Sequence, residues 1–361
     1  MFVSAYFPSK GVPAAGNKLS AATLDDLVGK YDHVDLITFT NAHERQSSPR
    51  LQAAPGIVPH VFDITTWHRL LGAVRHPTLP SGVAVRKHLA RSTAKNLLLR
   101  HEYQEIYVDF TQAMDVLPRS ALAKSTVRAH DVMSQLYSRH SQAAGARALL
   151  GQFEHFKSRR WESRALSLAG QIRALSGKDA GLITQLTGRR DIAVELPTEY
   201  YKVQGRTEVT IEPGLLLFWA NYARNENIEA ARLLIDDIFP RVSAAVPHAR
   251  LVLAGANAPV TMVKNAPPNV EWTGFVEDPT DLFRKCHIGL VPLRTGAGIK
   301  IKTLEFLYAG IPTIATQVGA EGVPASPLLH VVDDPRQMAQ LCVDMLTGHY
   351  GMAETDKTAQ P

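Results

Sequence analysis

Cysteine is nearly absent: Cys286 and Cys342 are the only two in 361 residues. A chain this long cannot depend on a single bridge, so two reduced core thiols in a cytoplasmic protein are expected. Metal spacing is missing as well. The 14 histidines form no HxxxH or HxH pattern and the cysteines no CxxC, so no structural or catalytic metal is expected. No apolar run reaches the roughly 18 uncharged residues that a membrane span needs. The opening MFVSAYFPSKG lacks a basic n-region and a small-residue cleavage site, and reads as a buried first strand rather than a signal peptide. The Walker pattern G-x-x-x-x-G-K-[ST] does not occur.

What is present suits a soluble globular protein of two domains, with 45% hydrophobic and 20% charged residues. The charge is uneven. The first 197 residues hold 25 Lys and Arg against 16 Asp and Glu, and the remainder 14 against 18. A basic half and an acidic half suggest different partners, although surface charge also drifts freely. Strand-like and helix-like runs alternate in both halves. Strands are expected at 2–8, 33–40, 58–64, 105–111 and 125–132, with helices at 18–31, 82–103 and 147–172. After a Pro-, Gly- and Thr-containing break at 192–214, strands are expected at 215–222, 249–256, 270–276, 287–293, 311–318 and 328–333. Helices are expected there at 227–246 and 278–286. Repeated strand–helix order points to open parallel α/β sheets. The domains are drawn at 1–197 and 198–348, and the polar composition of 349–361 suggests a disordered tail.

One stretch carries chemistry. In GLVPLRTGAGIKIKTLEFLYAGIPTIAT (289–316), an apolar strand breaks into a loop with Gly296 and Gly298. Lys300 and Lys302 follow, and then a helix with one carboxylate, Glu305. Unpaired amides at a helix N-terminus, with the helix dipole, suit a phosphate or diphosphate. Glycines let the backbone approach such a group, and the lysines add positive charge. A carboxylate nearby would oppose a phosphate unless it faced hydroxyls, as on a ribose. A solvated helix start, with Glu305 as a charge neighbour of the lysines, fits the same spacing.

The run GLVPLRTGAGIKIKTLEFLYAGIPTIATQVGAEGV resembles the donor-site signature of group 1 glycosyltransferases, sequence family 4, which have the GT-B fold. IFPRVSAAVPHARLVLAGA and VEWTGFVEDPTDLFRKCHIGLVPL resemble that family's second Rossmann domain. AYFPSKGVPAAGNKL, AHDVMSQLYSR and ALSGKDAGLI resemble parts of its first, so the likeness runs from Met1 to Leu346. The resemblance implies two Rossmann-like α/β/α domains facing each other across a cleft. It also implies a retaining glycosyltransferase of the hexosyltransferase type, using a nucleoside diphosphate sugar donor and no metal or other cofactor. Glu305 would accept from the ribose. Lys300 and the backbone of Gly298, Ile299, Ile301 and Lys302 would face the diphosphate. Gly16 would let the first domain's backbone approach the donor phosphate, and Phe275 and Val276 would line the base. His130 would stand at the transferred sugar with Asp131 holding the local geometry, and Arg224 would help stabilise the leaving diphosphate. Many members carry a further glutamate where this chain has Ala297. A subgroup with G-x-G-x-[KR]-x-K-x-L-E lacks it, and this chain has that version. A familiar glycine of the first loop is Ala15 here, and the family usually continues past this match with helices that cross back to the first domain.

The acceptor is assigned to the first domain, as a saccharide or a lipid-linked sugar in glycan or exopolysaccharide assembly. RKHLARSTAKNLLLR and FEHFKSRRWESRAL mix Lys and Arg with Leu, Phe and Trp161. Such helices can lie on anionic lipid, giving peripheral contact with the inner face of the cytoplasmic membrane. Trp161 could equally pack inward beneath solvated arginines. No recognition motif accompanies the charge, so nucleic acid is not expected as a partner. Two alternatives share the fold: a nucleotide-sugar epimerase, and a non-catalytic partner subunit of another transferase.

Overall fold

A computed structural model describes residues 1–9, 15–40, 56–140, 146–197, 210–296 and 298–348. Ala297, the side chain of Ala15, part of the 192–214 break and the tail 349–361 lie outside the described residues. The chain divides into two compact units, the first formed by Met1–Pro197 with residues 298–299 grouped to it, and the second by the remainder from Thr198.

The first unit holds a seven-stranded sheet in the order β3-β2-β1-β4-β5-β6-β7. Its strands are β1 (Phe2–Ser4), β2 (Val34–Thr40), β3 (Ile57–Asp63), β4 (Tyr107–Asp109), β5 (Thr126–Ala129), β6 (Gln171–Ala174) and β7 (Ile192–Val194). Every pairing is parallel. The central strands β1, β2, β4 and β5 are buried along their whole length. Helices on both faces demand this, and it explains why these strands read as apolar runs rather than alternations. Local chemistry sets the helix ends. Ser176 accepts from the Asp179 amide at 3.0 Å to start the helix Gly177–Thr187, and Gly188, at φ 76°, ends it.

The second unit holds a six-stranded parallel sheet in the order β10-β9-β8-β11-β12-β13. Its strands are β8 (Leu215–Trp219), β9 (Arg250–Ala254), β10 (Val270–Gly274), β11 (Ile288–Val291), β12 (Thr313–Ala315) and β13 (Leu329–Val331). The expected helix over 227–246 occurs as Asn225–Leu233 and Phe239–Ala245, joined by a π turn at Leu234–Ile238. Pro240 has no N–H to give a carbonyl four residues back, which accounts for the wider turn. Asp334 caps a last helix, Pro335–Leu346, by accepting from the amides of Arg336 and Gln337.

Several elements differ from the sequence expectation, two strands and one helix among them. β6 was placed at the end of the helix 147–172, which stops at Leu168, and β7 fell in the expected break. Both are short and only partly buried, so their apolar pattern is weak. The helix Thr66–Arg75 went unread because, of its ten residues, only Gly72 is buried. A Cβ there would lie 2.8 Å from the Cα of Val85, so Gly72 marks a close crossing with the helix Ser81–Arg100.

In each sheet the strand order reverses at one place, between β1 and β4 in the first and between β8 and β11 in the second. Open α/β sheets bind ligands beyond the carboxyl ends of their strands, beside such a reversal. The candidate residues follow β1, β4 and β5 in the first unit, and β8, β10, β11 and β12 in the second.

Candidate functional site

In the second unit, β11 leads into a loop with Gly296 at φ 129° and Gly298 at φ 70°, both in the left-handed region that favours glycine. A Cβ on Gly296 would lie 3.5 Å from Lys300 Cε, so the loop closes over that side chain. Lys300 is buried and opens the helix Ile301–Tyr308. Its amide donates to the Glu321 carbonyl at 3.2 Å and its ammonium lies 3.3 Å from Glu321 Oε2. Ile301 and Lys302 belong to the first helical turn, where amides have no intrahelical acceptor. Ile299 and Glu305 are buried. Glu305 sits one turn into the helix, on the stretch that also buries Thr303, Leu304 and Phe306.

The sequence reading passed over Glu321. It lies on the turn after β12, which several bonds bind to the glycine-loop helix. Thr303 donates to the Gly319 carbonyl at 2.6 Å, the Gly319 amide donates to Thr316 Oγ1 at 3.0 Å, and the Thr316 hydroxyl donates to the Leu293 carbonyl. A Cβ on Gly319 would fall 2.2 Å from the Val291 carbonyl oxygen, so only glycine fits there. The segment VGAEG held the signal: two glycines around an acid directly after a buried strand.

The Lys302 side chain has partners of its own within the second unit. Its ammonium donates to Asn227 Oδ1 at 2.6 Å and lies 4.7 Å from the Phe218 ring centroid. Burial pushes it down to about 7, with the Arg224 charge acting in the same direction. Arg224, after β8, is well exposed and pairs with Glu226 at 2.7 Å. After β10, Gly274 turns the chain at φ 70°, Phe275 stands half exposed and Val276 is half-buried.

In the first unit, His130 follows β5 and is buried. Its Nε2 donates to Asp109 Oδ1 at 2.8 Å, and its ring stacks on Phe110 with centroids 3.6 Å apart and planes 15° from parallel. Asp109 ends β4, is fully buried, and also accepts from Arg128 Nε at 2.8 Å and from the Ser20 hydroxyl. Burial pushes its carboxyl up, but the charges of Arg128 and His130 outweigh this and hold it well below the usual carboxylate range. Asp109 thus fixes the His130 ring and leaves Nδ1 on its other side. Gly16, in the first turn of the helix Ala15–Lys30, comes close to that side. A Cβ on it would lie 3.6 Å from His130 Nδ1 and 2.8 Å from Phe110 Cζ. Phe110 has φ 67°, a left-handed value rare for an aromatic residue, and such strain concentrates at functional sites. Neither Asp109 nor Phe110 was singled out from the sequence, although YVDF ends an apolar strand in an acid.

Asp131 leads into the helix Met133–His140. Glu162 is fully buried on the helix Ala146–Leu168 and accepts from the amides of Met133 at 2.6 Å and Ser134 at 2.8 Å. Burial raises its carboxyl to about 7, aided by the charge of Asp131, even though the amides favour the ionised form.

The basic stretches also divide. Arg86 is buried and donates through Nε and Nη2 to the Ala5 carbonyl at 3.0 and 2.8 Å. Lys87 pairs with Asp115 at 2.9 Å, and Arg91 donates to the carbonyls of Asp115 and Leu117. Trp161 is buried and donates to Asp115 Oδ1 at 2.9 Å, so it packs inward. The exposed residues of its helix instead include Phe153, Phe156, Arg159, Arg160 and Arg164. No described helix is long and apolar enough to cross a membrane. A cavity of about 520 Å³ lined by Tyr31, His33, His101 and Tyr103 lies away from these groups, beside residues that precede β2 and β4.

Residues 213–348 match the family model described as Glycosyl transferases group 1. No curated protein sequence matches the chain. Among solved structures, that of WaaG, a glycosyltransferase involved in lipopolysaccharide biosynthesis, is similar with a TM-score of 0.65 at 14% identity. The match covers 96% of this chain and 90% of that one. HepE from Anabaena, solved with UDP and glucose, gives 0.61 at 15% identity over 95% of this chain and 89% of that one. The UDP-forming trehalose-phosphate synthase of Burkholderia xenovorans, solved with glucose-6-phosphate, gives 0.59 at 13% identity, covering 96% and 92%. At such identities the structural likeness speaks for the fold, while the family model speaks for the second unit. Together they show a two-unit fold like that of these solved glycosyltransferases and a group 1 glycosyltransferase domain at residues 213–348.

Proposed function

We propose that the chain transfers a sugar, with retention, from a nucleoside diphosphate donor to a saccharide or lipid-linked acceptor in glycan or exopolysaccharide assembly. The observation that carries this reading is the glycine-loop helix start, where buried Lys300, first-turn amides and buried Glu305 lie within six residues. In the transfer, the bond from the sugar C1 to the diphosphate oxygen breaks and the electron pair leaves with the diphosphate, while the acceptor hydroxyl oxygen bonds to C1 and its proton passes to the departing diphosphate. Lys300 and the amides from Ile299 to Lys302 would meet that growing charge, in a partly dry setting where fixed donors act strongly. Glu321 would hold Lys300 in place, and the proposed reaction calls for no metal ion. Glu305 would accept from the ribose hydroxyls, Phe275 and Val276 would line the base, and exposed Arg224 would contribute least. The HepE structures with UDP and UDP-glucose favour a UDP-sugar as donor.

His130 would serve the transferred sugar, oriented by Asp109 through Nε2. Gly16 would bring the first amides of its helix near the donor phosphate. The first unit would take the acceptor. Its exposed Phe153 and Phe156, with three arginines on the same helix, support peripheral contact with anionic lipid at the cytoplasmic membrane.

Calorimetry without added metal, with UDP, GDP and their sugar conjugates, tests the reading on wild type and Glu305→Ala. One nucleotide should bind saturably and about 10–100-fold more weakly to the variant, as expected for loss of charged hydrogen bonds. No nucleotide binding by folded wild type would sink the transferase reading in favour of a non-catalytic partner subunit.

A further inference from the structure

The exit from β5 is held by a carboxylate that no other part of the site uses. Glu162 has no exposed surface, and both of its oxygens are engaged, Oε1 by the Met133 amide and Oε2 by the Ser134 amide. Those amides begin the helix Met133–His140, two residues beyond Asp131 and three beyond His130. The helix that carries Glu162 grips the same turn a second time, since His155 Nδ1 lies 2.7 Å from the Ser134 carbonyl. Among the described residues Glu162 forms no ion pair with a cation.

Burying a carboxylate without a cation is costly, and an apolar side chain could fill the space more cheaply. A glutamine would not replace it. Its single carbonyl oxygen can accept from one amide, and its NH₂ would then confront the other N–H. The double acceptor is therefore matched to two adjacent backbone donors at one place in the chain. Val132 and Met133 are buried in the core beside it, so the turn is clamped between packing on one side and the carboxylate on the other. Movement of that turn would carry the backbone of Asp131 and His130 with it, while Asp109 holds the imidazole from β4.

We infer that Glu162 is a positioning residue for sugar transfer, holding the His130–Asp131 turn in its working geometry through the amides of Met133 and Ser134. The inference rests on the reading that His130 serves the transferred sugar.

Two measurements on wild type and Glu162→Gln test it. Amide hydrogen exchange, read by mass spectrometry over the 130–136 segment at a single pH well above 7, where Glu162 is ionised, should speed up at least tenfold in the variant. Donor turnover should fall about tenfold in kcat with the donor KM within twofold, the split expected when a reacting group is misplaced while donor binding is untouched. A variant that only destabilised the domain would instead lower the active fraction, visible as a loss of cooperative unfolding amplitude. Unchanged exchange, or faster exchange with unchanged kcat, overturns the inference while leaving the transferase reading intact. Absence of turnover in wild type on every donor and acceptor tried overturns that reading and this inference with it. Should Glu162→Gln fail to fold, Glu162→Asp keeps the charge but withdraws it by about 1.5 Å. The same split at smaller amplitude is then expected, and unchanged kcat again overturns it.

Discussion

The ammonium of Lys302 donates to Asn227 Oδ1 across 2.6 Å, and Asn227 Nδ2 donates in turn to the Asn221 carbonyl at 2.7 Å. This chain ties the glycine-loop helix to the turn that follows β8. It also gives the second unit a titration. The folded Lys302 is lowered to about 7 from an ordinary value of 10.5. Between those values the unfolded chain holds a proton that the folded chain has released, so this contribution to stability rises with pH and is flat below 7. Lys302→Met removes it. Wild-type stability relative to the variant should increase by about 1–2 kcal/mol from pH 7 to pH 9, a figure reduced for the partly exposed stem. Urea unfolding at both pH values checks this, and parallel changes would mean that Lys302 titrates normally.

Asp109 neutralises Arg128 inside the first unit, and neither side chain has more than 2% exposure. Asp109→Asn would leave a buried guanidinium without its counter-charge, and removal of one partner of such a pair costs about 3–5 kcal/mol. Because the folded carboxyl is held below its unfolded value, its contribution is present at neutral pH and is lost as the pH falls through the carboxylate range. Urea unfolding at pH 7 should show the deficit, and the gap between wild type and variant should narrow toward pH 3. A deficit below about 1 kcal/mol at pH 7 would place the counter-charge elsewhere.

Much of this site could be read from residue order because parallel strands expose their chemistry at predictable ends. Gly296, Gly298, Lys300 and Glu305 sit on one continuous strand–loop–helix passage, and its apolar run made the strand visible. The partners of Lys302 were not legible, because spacing along a chain does not say which side of a helix start a long side chain takes. The structure turns it toward Phe218 and Asn227, both distant in sequence. Asp109, Phe110 and Glu162 were missed for a related reason. Each acts through a partner on another element, and a single acid in a strand or helix carries no sign of that partner. Trp161 shows the reverse case, where a basic, aromatic stretch suggested a surface and its indole instead reaches Asp115 46 residues away.

Gly16 bears directly on the His130 ring through Phe110. An alanine Cβ would stand 2.8 Å from Phe110 Cζ, and Phe110 is both stacked on His130 and held at a strained φ of 67°. Gly16→Ala should therefore cost about 1–3 kcal/mol of stability by overpacking. It should lower donor turnover more than donor affinity, by about tenfold or more in kcat. A Gly16→Ala, Phe110→Leu double variant removes the clash and should recover part of the stability. Full activity in Gly16→Ala would show that neither the ring stack nor the close approach matters to transfer.

Phe153 and Phe156 stand three residues apart on the helix Ala146–Leu168, with exposures of 59% and 64%, and Arg159, Arg160 and Arg164 continue the exposed face. Aromatic rings at that spacing can enter the interfacial layer together, while the arginines meet anionic head groups. Flotation with phosphatidylglycerol vesicles should therefore carry the wild type upward, and phosphatidylcholine vesicles should not. Replacing the three arginines with glutamine should weaken binding about 100-fold, taking roughly 1 kcal/mol for each charge near the surface. Raising the salt should mimic that loss because Debye screening shortens the reach of the lipid charge. Phe153→Ser with Phe156→Ser should weaken binding without changing its salt dependence. If the vesicles ignore the wild type, light scattering becomes decisive. A dimer that the two serines dissociate would mean that a second copy of the chain covers this face, and the lipid contact would be withdrawn.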